Sequence, residues 1–290
     1  KTERPWTDAM VASLSSSSSQ QQQQQQQPSA SPGSPEENPF ARAYADWQSR
    51  TPTLCRWLAQ GIAIAYLASW IVDLRRQLAC EPFKVVARWQ VYRLVTAPVV
   101  GNSLLSALFA CFVIGDGAGP RVERALGTTF FGLCVVFAVA SINVAVCVVC
   151  YALAAGGGHL GAVVSYAASG VWAPLLYVVC VECLSAPESR RRLLFFPCDI
   201  PTLYYPLAFF AFISFFSGLQ LDLALGLGLG YADHFNYLNS LKPSAATLNR
   251  LEAAPCVART LAADPGFVSA RNALGPAAWV QLVNPDGADW

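Results

Sequence analysis

The sequence predicts an all-α membrane protein with six transmembrane helices, and three observations carry that prediction. Hydrophobic residues fill 54% of the 290 positions, charged residues only 13%, and mean hydropathy is +0.38, far from the composition of a water-soluble domain. Apolar runs recur at lengths that suit helices crossing about 30 Å of hydrocarbon. Lysines and arginines gather in alternate connections between those runs, as the bias of cytosolic loops toward positive charge requires.

Residues 1–50 come first and contain SSSSSQQQQQQQQPSASPGSP, a tract too poor in apolar surface to offset its ordering entropy. A disordered cytosolic tail is expected there. No basic-then-apolar leader pattern precedes the first run, so that run is expected to serve as an internal targeting signal. The membrane domain, residues 51–240, holds runs at about 56–74, 102–119, 128–153, 161–184, 202–218 and 219–238. The last two are nearly continuous; Ser217-Gly218 and Asp222 supply the turn, because glycine punctuates helices and a mid-bilayer carboxylate is costly. Residues 241–290 form a second cytosolic tail.

Charge orients these runs. Arg50 and Arg56 precede the first, Arg121 and Arg124 follow the second, Arg190, Arg191 and Arg192 follow the fourth, and Lys242 and Arg250 follow the sixth. These segments and both termini are expected in the cytosol, and the Lys- and Arg-free connections after the third and fifth runs in a lumen. The first connection departs from the rule, since it carries Arg75, Arg76, Lys84, Arg88 and Arg93 at a lumenal place. Its amphipathic stretch FKVVARWQVYRLV is expected to lie along the membrane interface with Trp89 and Tyr92 at headgroup depth.

Several function classes are disfavoured by the same composition. A net charge of +1, with arginines scattered between apolar runs, gives no footprint for nucleic acid. Most of the ten cysteines, Cys111, Cys134, Cys147, Cys150, Cys180 and Cys183 among them, lie inside apolar runs, where a thiol acts as a small hydrophobe, so no disulfide framework is expected. Cys147-x-x-Cys150 and Cys180-x-x-Cys183 have zinc-like spacing, but antiparallel neighbouring spans would hold the pairs on the order of 20 Å apart. GLGLG at Gly226–Gly230 lies in an apolar run with no strand before it, which disfavours a phosphate loop and favours helix packing. No internal repeat and no set of paired intramembrane charges suggests a transporter. No metal or cofactor is expected.

The stretch from Trp89 to Leu133 contains Tyr92-Arg93-Leu94 with Thr96, then Glu123-Arg124-x-Leu126-Gly127 ahead of the next apolar run. These landmarks, chiefly Arg93, Glu123 and Gly127, resemble the rhomboid superfamily, and the resemblance covers roughly residues 55–240. It implies a rhomboid-like bundle of six transmembrane helices. The segments GVWAPLLYVVCVECLSAP and FISFFSGLQLDLALGLGLGYAD are most similar to the branch that pairs such a bundle with a ubiquitin-associated domain in the endoplasmic reticulum. A Golgi branch would share the fold.

Active members of that superfamily use a Ser-His dyad. The resemblance places the serine at Ser169 in Ala167-Ala168-Ser169-Gly170, and the glycine register of Gly226 and Gly230 places Leu223 where the histidine belongs. Without a base the hydroxyl stays protonated and is a weak nucleophile. His234 is roughly 16 Å further along a helix from Leu223, far beyond the ~3 Å reach of a general base. His159 lies in the glycine-rich loop before the fourth run. The positions of the oxyanion-stabilising side chains fall near Gly101 and Ala110, with Asn102 one residue away, and neither Gly101 nor Ala110 offers a side-chain donor. Ser169 is therefore read as vestigial: Ser165 and Ser169 are expected to form a small face against Gly226, Gly228 and Gly230, with Pro174 kinking the span. Asn143 and Ser141 are expected to hydrogen-bond between helices.

The resemblance implies a pseudoprotease of the endoplasmic-reticulum membrane that binds membrane-protein clients and ubiquitin-ligase or degradation components. An active intramembrane serine protease using Ser169 is the alternative. GFVSARNAL, Gly266–Leu274, is similar to the Gly-Phe loop and helix of a ubiquitin-associated domain, yet too little chain follows for a third helix, which leaves two alternatives: a truncated chain, or a tail that is a remnant of that domain without direct ubiquitin binding.

Overall fold

The structure is a computed structural model that describes residues 38–100, 103–156, 166–185, 190–192, 199–235, 237–238 and 241–273. Most of the low-complexity tail, together with His159, Ser165, Gly101 and Asn102, lies outside the described residues.

Helix α1, Pro39–Arg50, precedes α2, Thr53–Ala68. Three short helices then wind through the long first connection: α3, Leu74–Leu78, α4, Pro82–Ala87, and α5, Arg93–Thr96. Next come α6, Leu104–Gly115, α7, Ala118–Leu126, and α8, Thr128–Ala155. Helix α9, Trp172–Ser185, leads to a two-stranded antiparallel ribbon of β1, Arg190–Arg192, and β2, Asp199–Pro201, paired Arg190 to Pro201. Helices α10, Tyr205–Ser217, α11, Leu221–His234, α12, Ala245–Ala253, and α13, Pro255–Thr260, follow among the described residues. The fold is mostly helical, and the ribbon is a small departure from the expected all-α class.

Two stretches among the described residues are long and apolar enough to cross a membrane: Leu104–Leu126, which bends at Asp116-Gly117, and Thr128–Ala155. The 28 residues of α8 span about 42 Å. Helices α9, α10 and α11 have 13 or 14 residues each, so they measure only about 20 Å.

The fourth expected span is the main departure. Helix begins at Trp172, whereas the described residues before it, from Tyr166, are non-helical. The cause is Pro174: in the first helical turn its missing N–H has no partner to lose and its fixed φ is already helical, so it opens α9 instead of kinking a longer helix. The turn between α10 and α11 falls at Gly218, whose φ of 78° is a left-handed value that glycine adopts without strain.

Two apolar clusters fill the interior. The larger joins α2, α6, α7, α8, α9, α10 and α11 around Leu175, Leu176, Phe209 and Leu223, all almost fully buried. The smaller gathers Cys80, Val85 and Ala97 of the first connection against Val146, Cys147 and Cys150 of α8, together with Ala168. A buried carboxylate, Glu182 of α9, is paired by Arg121 of α7, which satisfies a charge that burial would otherwise penalise.

Candidate functional site

The serine segment is an extended stretch clamped on both sides. Ala168 exchanges both backbone hydrogen bonds with Cys80, at 2.9 and 3.0 Å, and the Gly170 N–H donates to the Ala97 carbonyl at 3.2 Å. Gly170 holds φ 105°, which explains a glycine directly after the serine. Ser169 is 9% exposed and lines a cavity of about 10 Å³ with Ala97, Asn143, Pro174 and Asp222 among its walls. That volume is at the lower bound for one water molecule.

Leu223 is wholly buried in the first turn of α11. Its neighbour Asp222 is buried too and accepts a hydrogen bond from the Tyr166 hydroxyl at 3.0 Å. A carboxylate in the first turn also meets the positive end of the helix dipole, so the expected turn-forming role of Asp222 becomes a helix-start role. His234 sits at the opposite end of α11, edge-on to Phe235. The structure therefore brings Ser169 and Asp222 to one cavity and leaves His234 remote from it.

Helices α9 and α11 make the most extensive helix contact among the described residues, and glycine makes it close. A methyl group added to Gly226 would sit 2.4 Å from the Ala173 carbonyl oxygen, and one added to Gly230 would sit 2.4 Å from the Cys180 Cβ. Gly228 meets nothing within 4 Å, which corrects its expected place in the packing face. Residues four apart share a helical face, and the residue midway points away. The partner surface is Ala173, Tyr177 and Cys180 rather than Ser169, which precedes the helix.

The landmarks Glu123 and Gly127 meet at a different place, the start of α2. Pro52 at the N-cap of α2 carries no capping side chain, yet its first amides are all satisfied. Thr53 N–H donates to the Gly266 carbonyl at 3.2 Å, Leu54 N–H to Glu123 Oε1 at 3.0 Å, and Cys55 N–H to Glu123 Oε2 at 2.8 Å. Glu123 is wholly buried and takes a further bond from the Thr128 hydroxyl at 2.7 Å. It thus acts as a helix cap supplied through space, with its charge at the positive end of the dipole.

The C-terminal segment closes over that junction. Thr128 N–H donates to the Val268 carbonyl at 2.8 Å, and Val268 N–H returns a bond to the Thr128 hydroxyl at 3.0 Å. Gly127 has φ 85°, and a side chain there would press within 3.0 Å of Ala270. Asp264 pairs with Arg56 and accepts from the Thr53 hydroxyl and the Gly266 N–H. Burial pushes its carboxyl up, but the Gly266 N–H, Arg56 and Thr53 outweigh that and hold it below the usual carboxylate range. Sequence reasoning missed this strap; the signal was Pro52, a helix start with no local cap.

Arg93 organises the first connection. Only 4% exposed, it donates to the Gln90 side chain at 2.6 Å, the Ala79 carbonyl at 2.7 Å and the Arg76 carbonyl at 3.1 Å. Asn143 of α8 donates to the Leu94 carbonyl at 2.8 Å, which ties α5 to α8. No family model matches the chain, and no curated protein matches it in sequence.

Proposed function

We propose that this chain is a catalytically inactive rhomboid-like membrane protein that binds membrane clients or ubiquitin-ligase machinery in endoplasmic-reticulum quality control. On this reading it is akin to ubiquitin-associated domain-containing protein 2, its apolar helices form the six-helix bundle, and both termini face the cytosol. The observation that supports the inactive half is Leu223: the position that the glycine register assigns to the histidine holds a fully buried apolar side chain, next in sequence to Asp222, which lines a cavity of about 10 Å³ with Ser169. A serine without a base is a poor nucleophile.

The binding half is supported by shape. An apolar groove of about 250 Å³ runs between α2 and α8, lined by Trp57, Gly61, Val95, Val136 and Pro174 among others. Gly61 has nothing within 4 Å of where a side chain would start, leaving room for the close backbone approach that membrane helices use to associate. Helices of about 20 Å are shorter than the hydrocarbon core, so they thin nearby lipid and favour lateral docking. The first connection supports an interfacial position, because Trp70, Phe83, Val86 and Trp89 all face outward.

Affinity capture from detergent at endogenous level should bring down membrane clients or ubiquitin-ligase components, and Gly61→Leu should weaken that capture several-fold at unchanged abundance. Equal capture by both proteins would remove the groove from the proposal. Imaging against organelle markers separates the endoplasmic-reticulum assignment from the Golgi one.

One observation favours a second reading, an active protease: Asp222 brings a carboxylate to the cavity that Ser169 lines. A fluorophosphonate probe decides between the two. Inactivity predicts no labelling of Ser169, and labelling abolished by Ser169→Ala would establish the protease.

A further inference from the structure

We infer that Cys80 and Cys147 form a disulfide in the mature protein, stapling the first connection to α8; the inference rests on the membrane orientation proposed above. The two sulfurs lie 4.0 Å apart, from residues 67 positions apart in sequence. A disulfide needs about 2.0 Å, so the thiols must close by roughly 2 Å, a distance that rotation about side-chain bonds can supply. The backbone around them is already held. Cys80 is paired on both its N–H and carbonyl with Ala168, Arg93 clamps the preceding Ala79 carbonyl, and Cys147 belongs to the long helix α8.

Position along α8 sets the compartment. The 1.5 Å rise puts Cys147 about 28 Å from Thr128, close to the full thickness of a hydrocarbon core. Thr128 follows Arg121 and Arg124, the cytosolic end in the proposed orientation, so the Cys80–Cys147 pair sits at the lumenal margin. Disulfides persist in such an oxidising compartment. Cys55, in the first turn of α2, and Cys134, in the second turn of α8, lie toward the arginine-bearing end, where cytosolic thiols stay reduced.

The chemistry is thiol–disulfide exchange with a disulfide donor, either an oxidoreductase or oxidised glutathione. A Cys80 thiolate attacks the donor, forming a mixed disulfide and expelling one donor thiolate. The Cys147 thiolate then attacks the Cys80 sulfur, makes the new S–S bond and expels the second. Two thiols of this chain are oxidised, the donor is reduced to two thiols, and the two protons pass to the departing thiolates. Because both cysteines end buried, the exchange belongs to folding, before the connection closes on α8. The resulting staple also fixes the strand pairing that holds the serine segment.

The test uses the full chain in microsomal membranes, with free thiols blocked by N-ethylmaleimide before lysis. Mass spectrometry of the non-reduced digest should contain a Cys80–Cys147 linked peptide that vanishes on reduction. Maleimide labelling of the denatured, unreduced protein should fall two labels short of the reduced sample. That gap should close in Cys80→Ser and Cys147→Ser and remain at two in Cys150→Ser, whose thiol lies in the same apolar cluster. An N-glycosylation acceptor inserted after Gly156 reports the orientation in parallel. Glycosylation without the linked peptide overturns the disulfide and leaves the proposed orientation standing. Absence of both overturns the orientation and the inference together, and the linked peptide in wild type supports the disulfide even where a serine variant fails to fold.

Discussion

Glu123 shows how much one side chain carries. Its carboxylate replaces the cap that Pro52 cannot provide, and it does so in a buried place where water cannot substitute. Glu123→Ala leaves the Leu54 and Cys55 amides without partners, each worth ~1–3 kcal/mol, so the variant should lose roughly 2–6 kcal/mol of stability. Thermal unfolding in detergent measures this, and Glu123→Gln, which keeps one acceptor oxygen, should fall between. Asp264 makes a pH-dependent contribution at the same junction. Its carboxyl titrates lower when folded than the ~3.9 of an unfolded chain, so its stabilisation is complete above that value and fades as pH falls through the folded value. The difference in thermal midpoint between wild type and Asp264→Asn should therefore be constant from pH 6 to about 5 and shrink below about pH 4. A difference unchanged at pH 3 would mean that the Asp264 carboxylate does not hold the strap.

At the scale of elements, the α9–α11 pair rests on two glycines rather than three. Gly226→Leu and Gly230→Leu each insert a side chain where a single methyl already lies 2.4 Å from its neighbour, so both should cost at least ~1–3 kcal/mol and lower abundance. Gly228→Leu adds its side chain to open space and should be tolerated. Ser169→Ala should leave partner capture nearly unchanged, because the segment is held through backbone bonds at Ala168 and Gly170. Measuring steady-state abundance of these four variants side by side checks the register; equal loss at Gly226 and Gly228 would refute it.

For the whole molecule, the described part of the C-terminal segment is anchored rather than trailing. Tyr177 and Lys242 both reach Asp233 at the end of α11, at 3.1 and 2.6 Å, and the strap through Gly266 and Val268 then returns to Thr53 and Thr128. Residues on the strap and on the start of α2 therefore share one side of any membrane the bundle crosses. With the proposed orientation, reporter tags after Arg192 and after Lys242 should both be cytosolic, and a tag after Gly156 should be lumenal. Protease protection in sealed microsomes reads this directly, and a lumenal tag after Lys242 would break the six-span reading.

The sequence by itself determined the helical character, the apolar runs and the turn at Ser217-Gly218, because composition, periodicity and glycine act through neighbouring residues. The glycines at 226 and 230 marked a close helix approach in advance, although treating GLGLG as one face ignores that residues two apart on a helix point in opposite directions. Where α9 begins depended on whether Pro174 fell inside a helix or in its first turn, and the bonds of Ala168 and Gly170 to Cys80 and Ala97 settled it. Only the tertiary structure decided the work of Glu123, Arg93 and Gly127, the meeting of Cys80 with Cys147, and the docking of Asp264 on Arg56. Each pairs groups far apart in the chain, and buried polar groups take whichever partner the fold brings within reach, which no local pattern encodes.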